Sequence, residues 1–438
     1  MHGLIIAAPS SGAGKTTVTL GLLRALTRKG IAIRSAKSGP DYIDPAFHAA
    51  ATGSPCVNLD AWAMTPQRIA QLASGDTPLI IEGAMGLFDG APPDGKGAVA
   101  DLARQFDMPV VLVVNAAAMS HSVAALVRGF ASHDAKVRIA GVILNNIGSP
   151  RHTDMLRAAL APLGMRVLGA VPRTGALSRP SRHLGLVQAG EMPDLEGFLT
   201  AAADQMDACL DLEAVMDTLA GSIPTVPPLA FSPPRPRTRT LAIARDAAFS
   251  FVYPHQIADW TAAGTQITFF SPLADDPVPQ ADEVFLPGGY PELYAARLAR
   301  NQIFMQSLKH AAQTSVIYGE CGGYMTLGEG LIDADGTRHK MAGLLGLTTS
   351  FETRKLHLGY RTLRPFGDAK PPMVITAHEF HYATTLSADG PPLFHAQDAT
   401  GADLGTTGLS EGRVCGSFMH KIECDPHNNS FASLLRQA

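Results

Sequence analysis

Cysteine is scarce in this 438-residue chain, and the little there is does not pair. Cys56, Cys209, Cys321, Cys415 and Cys424 form no Cys-x-x-Cys unit and no regular spacing. That excludes a disulfide framework and a cysteine-built zinc site, and it fits a reducing, cytoplasmic location. No run of about eighteen uninterrupted apolar residues occurs, so no membrane-spanning helix is expected. The first residues lack the basic-then-apolar pattern of a secretion signal. Net charge is only −4, from 35 basic and 39 acidic residues, which argues against a general nucleic-acid binder. Internal repeats and low-complexity tails are missing too. What remains is the composition of a globular protein with room for about two domains, each with its own core.

Apolar stretches at 4–7, 31–33, 79–81, 110–114, 142–144 and 167–171 alternate with helical patterns. In the first of these patterns Val18, Leu22 and Leu26 form one stripe, with Gly30 as the stop. Near-continuous apolar strands separated by helices indicate a parallel sheet covered on both faces. Such sheets bind ligands beyond the C-terminal ends of their strands. A stretch at 221–239 carries Pro224, Pro227, Pro228, Pro233, Pro234 and Pro236 and reads as an extended connector. It divides an α/β domain at 1–220 from a second at 240–438, where residues 240–244, 268–270, 284–286 and 315–318 are strand-like.

After the first apolar run comes Ala8-Pro9-Ser10-Ser11-Gly12-Ala13-Gly14-Lys15-Thr16-Thr17. A strand entering a glycine loop that opens a helix presents backbone N–H groups and a positive helix end to phosphates. Gly12, Gly14 and Thr17 belong to the expected ATP cradle. Lys15 supplies charge to the β- and γ-phosphates, and Thr16 a hydroxyl ligand to Mg²⁺. The usual first glycine of this pattern is replaced by Pro9.

Magnesium prefers oxygen ligands. Glu82 ends the run at 79–81, where an unpaired carboxylate would be costly. With Thr16, Glu82 and Asp41 are the expected metal ligands. Asp41 lies in Gly39-Pro40-Asp41-Tyr42-Ile43-Asp44-Pro45, where helix capping is the plainer role. Tyr42 and Asp44 of the same turn are read as substrate contacts. So is Asp89 of Gly86-Leu87-Phe88-Asp89-Gly90, where a simple Asp-Gly turn is equally open. Lys37 either balances a phosphate or substrate carboxylate, or is an exposed surface lysine.

In the second half, Tyr318-Gly319-Glu320-Cys321-Gly322-Gly323-Tyr324-Met325 sets a cysteine between a strand and a helix. A sharp turn there exposes the sulfur, and the helix N-terminus is expected to favour thiolate. Gly288 and Gly289 could supply the N–H donors of an oxyanion hole. His420 is the candidate base. His378-Glu379-Phe380-His381-Tyr382 looks like a metal cluster in composition, but as a strand it splits between two faces and is read as a contact segment.

Together these motifs resemble the cobyrinic acid a,c-diamide synthase family, with Pro287-Gly288-Gly289-Tyr290-Pro291-Glu292 and the Glu82–Gly90 segment part of the likeness. The likeness runs from the first strand to His420. It implies a P-loop NTPase-like, dethiobiotin synthetase-like domain followed by a class I glutamine amidotransferase-like domain. It also implies an ATP- and glutamine-dependent amidotransferase of cobalamin biosynthesis, with Cys321 as glutaminase nucleophile and His420 as its base. The partners implied are a corrinoid and glutamine, with no nucleic acid and no membrane; a homodimer stays open. Many class I glutaminases place Glu two residues after the histidine, and here that residue is Ile422. Neighbouring readings are a cobyric acid synthase-like amidation of other corrin carboxylates, and a P-loop switch ATPase with an idle glutaminase-like half.

Overall fold

The computed structural model describes residues 2–177, 181–182, 185–221, 239–367, 373–424 and 430–435. The connector expected at 221–239 lies, but for its two end residues, outside the described residues. The chain divides into two compact units, Met1–Leu229 and Ala230–Ala438.

The first unit is built on a seven-stranded sheet. Its order is Val57–Leu59, Arg34–Ser38, Leu79–Glu82, Gly3–Ala7, Val110–Asn115, Ile139–Ile147, Val167–Pro172. Every neighbouring pair is parallel. The central strands are apolar because both faces are covered: Leu4, Ile5, Ile6, Ile80 and Ile81 have no exposed surface. Helix Lys15–Arg28 buries Val18, Leu22 and Leu26 as its spacing predicts, and left-handed Gly30 (φ 74°) follows its end.

One strand departs from the apolar-run reading. The triplet at 31–33 is not a strand; the strand is Arg34–Ser38, in which Ser35, Lys37 and Ser38 are buried. A buried lysine in an interior strand requires nearby negative charge, and the site provides it.

The second unit holds a ten-stranded mixed sheet. Strands Gln266–Phe270, Thr240–Ala244, Glu283–Leu286, Val316–Glu320 and Val414–Ser417 lie side by side and parallel. Antiparallel strands Asp403–Glu411, Pro392–Asp398, His357–Pro365, Ile375–His381 and Met419–Cys424 continue it. The chain leaves the parallel part at Ser417 and two residues later enters the far edge strand, which begins at Met419. His420 therefore sits on an element adjoining both parts. Among the described residues no helix is long and apolar enough to cross a membrane, and Cys56, Cys209, Cys321 and Cys415 are free.

The core of this unit turns on Phe431. It is 1% exposed, stacks on Tyr318 at 4.7 Å between ring centroids, and lies 5.1 Å from Phe285 and 6.0 Å from Trp260. Phe431→Ala should cost the second unit about 3–5 kcal/mol, the range for emptying a buried aromatic site. The shift of that unit's urea transition measures it; a change below about 0.5 kcal/mol, the cost of a mere surface substitution, contradicts this packing.

Candidate active site

In the first unit the phosphate loop closes at left-handed Gly12 (φ 78°) and Gly14 (φ 89°), the latter capping helix Lys15–Arg28. Both angles favour glycine. Space adds to the demand at Gly14, where a Cβ would come within 2.2 Å of the Asn145 amide nitrogen. Asn145, from the end of strand Ile139–Ile147, donates to the Ala13 carbonyl at 2.9 Å and so braces the loop from a residue the motif does not contain. Pro9 meets no conflict: its carbonyl packs against Gly86, while Leu87 N–H donates to the Ala8 carbonyl at 2.8 Å. Lys15 Nζ donates to the carbonyls of Met85 and Ser10, so the Glu82–Gly90 segment and the phosphate loop are laced together. Thr17 lies partly buried in the first turn of the helix.

Behind Lys15 is a buried charged cluster. Thr16 Oγ1 donates to Glu82 Oε1 at 2.5 Å and stands 3.3 Å from Asp44 Oδ2. Lys37 Nζ bridges both carboxylates, at 2.6 Å from Asp44 and 2.8 Å from Glu82. His48 Nε2 meets the second Glu82 oxygen at 2.6 Å. Burial alone would raise the Glu82 pKa, but Lys37 and His48 outweigh it and hold the carboxyl below its usual range. Lys37 is opposed by burial too, and Glu82 and Asp44 hold it firmly protonated. Despite burial, the Cys56 sulfur and Glu82 raise His48 to about 10. Burial and the neighbouring Lys37 lower Lys15.

Asp44, expected at the substrate, is the acid beside Thr16. Asp41 instead accepts the N–H groups of Ile43 (2.7 Å) and Asp44 (3.1 Å), opening helix Asp44–Thr52. That is the local turn contact of an aspartate with the N–H groups two and three residues on. Tyr42 is in the same turn, half-buried. Asp89 accepts the Gly86 N–H at 2.9 Å and holds its own loop; its charge also reaches Lys15. Lys37 is no surface lysine, and His48 and Asn145 were not singled out by any motif.

In the second unit Cys321 follows strand Val316–Glu320 and precedes the short helix Gly322–Leu327. Its backbone has φ 46° and ψ −101°, an unusual conformation for a non-glycine residue that the surrounding structure must hold in place. Cys321 N–H donates to the Ser417 carbonyl at 2.8 Å, and Gly323 N–H to the Pro287 carbonyl at 3.1 Å. A Cβ on Gly323 would lie 1.9 Å from the Leu286 carbonyl, and one on Gly322 would lie 3.2 Å from Gly289 N. The cysteine turn and the Gly288–Gly289 turn are thus pressed together. His420 joins them: a Cβ on Gly288 would fall 2.3 Å from its Cε1.

The electrostatics differ from the thiolate expectation. Burial, then the Glu292 carboxylate, push the Cys321 thiol well above its ordinary value, with Glu320 and Glu379 adding to the rise. Only the Gly322 N–H pulls the other way. Burial, then His378 and His381, lower His420 to about 3. The resting pair is therefore neutral thiol and neutral imidazole, because burial opposes charge on both groups and outweighs the short helix end.

The strand Ile375–His381 alternates as predicted, with Glu379 and His381 buried and Phe380 exposed. His357, Glu379 and His381 come within metal-ligand reach of one another. Glu379, however, is held by Arg361 at 2.7 and 2.9 Å, and His381 stacks on His357 and Phe418. An arginine on the carboxylate and parallel-stacked imidazoles describe a packed ion-pair network.

A phosphate-loop nucleotide-binding unit followed by a cysteine–histidine glutaminase-like unit is the build of a glutamine amidotransferase. Residues 4–187 match the family described as the CobQ/CobB/MinD/ParA nucleotide binding domain, and residues 240–427 the CobB/CobQ-like glutamine amidotransferase domain. The hydrogenobyrinate a,c-diamide synthase of Brucella anthropi is 54% identical over 97% of this chain and 99% of its own length. The enzymes of that name from a Sinorhizobium species and from Rhodobacter capsulatus are 54% and 53% identical, over 97% and 96% of this chain and 99% and 98% of theirs. The chain belongs to the hydrogenobyrinate a,c-diamide synthase family.

Proposed function

We propose that this enzyme uses ATP and glutamine to convert the a and c side-chain carboxylates of hydrogenobyrinic acid, the metal-free corrin, to amides. The observation that carries the reading is the pair of sites in one chain: the Lys15–Thr16–Lys37–Glu82–Asp44 cluster and the Cys321–Gly288–His420 cluster. The names of the relatives support the metal-free corrin as the substrate.

In the first unit the loop amides and Lys15 would hold the triphosphate. Thr16, Glu82 and Asp44 offer a hydroxyl and two carboxylates around one point, an all-oxygen set suited to Mg²⁺. Lys37 already places positive charge between those carboxylates. A magnesium ion bound there would draw charge from the transferring phosphoryl group. A corrin carboxylate oxygen attacks the γ-phosphorus of ATP, the bond to the β-phosphate oxygen breaks, and ADP leaves. The acyl phosphate is then attacked at its carbonyl carbon by ammonia. Phosphate departs, a proton is lost from nitrogen, and the amide remains. Asp44, beside Thr16, is assigned to the metal set in place of Asp41, whose oxygen serves the helix start. Tyr42 and Asp89 stay as candidate corrin contacts.

In the second unit His420 takes the Cys321 proton as sulfur attacks the glutamine side-chain carbonyl. Gly288 and Gly289 N–H groups would stabilise the oxyanion. Collapse expels ammonia, which receives the proton from His420. Water then hydrolyses the glutamyl thioester to glutamate and free thiol.

The decisive assay offers hydrogenobyrinic acid and cobyrinic acid separately, with MgATP and glutamine, and counts amides by mass spectrometry. The expected product is the diamide of the metal-free corrin with two ADP released per diamide. Amidation at other carboxylates would move the enzyme to the cobyric acid synthase type. ATP hydrolysis with no amide from either corrin would leave a switch ATPase.

A further inference from the structure

We propose that Glu320, the residue before the nucleophile, is the carboxylate that positions His420. This deepens the glutaminase reading and rests on Cys321 and His420 having the roles given above. Two residues after His420 stands Ile422, 1% exposed, at a β-bulge: Thr376 pairs with Glu423 and Ala377 with Lys421, leaving Ile422 as the extra residue. Glu423 is in that ladder opposite Thr376 and accepts its hydroxyl on the main-chain carbonyl at 3.3 Å.

Glu320 approaches the imidazole from the other side. Its Oε2 is 3.8 Å from His420 Nδ1, and the two side chains are 2% and 3% exposed. Its Oε1 accepts the N–H of Lys421, the residue after His420, at 3.2 Å. The carboxylate is thus anchored to the backbone of the base while its second oxygen faces the ring nitrogen. Both strands fix this placement: Glu320 pairs with Ser417, and Ser417 accepts the Cys321 N–H. Glu379, the other acid near His420, is already engaged by Arg361 and His381.

Catalytic hydrogen bonds are often long in the resting state and tighten when charge appears. Here charge appears as His420 accepts the thiol proton on Nε2. The imidazolium then carries an N–H at Nδ1, and Glu320 Oε2 stands 3.8 Å from that nitrogen. Burial, partly offset by Lys421, raises Glu320 to about 7, so a neighbouring imidazolium favours its ionised form.

The test measures glutamate release and ammonium-dependent amidation by the full chain. For Glu320→Gln, kcat of glutamine hydrolysis should fall by about 10²–10⁴-fold, the effect of neutralising an orienting carboxylate. The KM for glutamine and the ammonium-dependent rate should stay within about threefold of the parent, because binding and the first unit are untouched. Glu320→Asp keeps the charge and should regain at least about a tenth of the parent kcat. A Gln variant as active as the parent, or an Asp variant no better than the Gln variant, overturns the assignment. Glutaminase activity that survives in Cys321→Ala would instead remove the reading beneath it.

Discussion

Cys321→Ala abolishes glutamine-dependent amidation and leaves ammonium-dependent amidation at the parent rate. The two halves of this expectation come from different parts of the molecule. Removing Sγ deletes the only atom at this turn able to form the glutamyl thioester, and loss of a covalent nucleophile costs on the order of 10⁴–10⁶ in rate. The turn itself should survive. Its conformation is held by the Cys321 N–H on Ser417 and by the Gly323 N–H on Pro287, both main-chain bonds that alanine keeps. Cys321 is 4% exposed, so the variant loses one buried sulfur and little else. The turn belongs to the second unit, and exogenous ammonia bypasses the thioester. Both rates are read from corrin amide formed, with glutamine or ammonium chloride as nitrogen source. Retained glutamine-dependent synthesis would displace Cys321 from the nucleophile's position; loss of both activities would mean the turn does more than hydrolyse glutamine.

How much of this was readable beforehand depends on how local each feature is. The phosphate loop, Glu82 at the end of a buried strand, and the glycines around Cys321 are short patterns whose chemistry follows from neighbours in sequence. Their strands fall where the apolar runs put them. The strand carrying Lys37 does not, because its buried residues are polar and their burial is made tolerable only by Glu82 and Asp44 from other elements. Apolar-run reading has no access to that compensation, so it placed the strand at 31–33 and left Lys37 undecided. His48 and Asn145 were missed for the same reason: each touches the site through one long-range contact. The state of Cys321 was misread because a helix start is visible in sequence, whereas the burial of the sulfur, and then the approach of Glu292, come only with folding. Asp41 and Asp44 show the finer limit. Three residues apart in one turn, they are chemically alike in sequence, and the course of the backbone decides which holds the turn and which meets Thr16.

Glu82→Gln should silence synthesis from either nitrogen source while glutamine hydrolysis persists. Glu82 has no exposed surface, and both its oxygens are used, by Thr16 and Lys37 on one side and His48 on the other. The amide keeps the volume but removes the charge that holds two buried cations. Breaking one partner of a buried ion pair typically costs about 3–5 kcal/mol, since the remaining charge is stranded. Lys37 keeps Asp44 at 2.6 Å, so the loss should sit at the low end and the first unit should still fold, with a lower melting temperature. Catalysis suffers more than stability. The Glu82 oxygen beside Thr16 is a member of the oxygen set assigned to magnesium, and the displaced Lys37 lies next to Lys15, whose ammonium it repels. Losing one preorganised electrostatic group at a phosphoryl-transfer site costs about 10²–10³ in rate. The readout is ADP formed and amide produced with ammonium chloride, against glutamate released in the same preparation. Ammonium-dependent synthesis within about threefold of the parent would contradict a role for Glu82 in phosphoryl transfer. A variant that loses ADP formation but still hydrolyses glutamine would separate the two chemistries along the line between the two units.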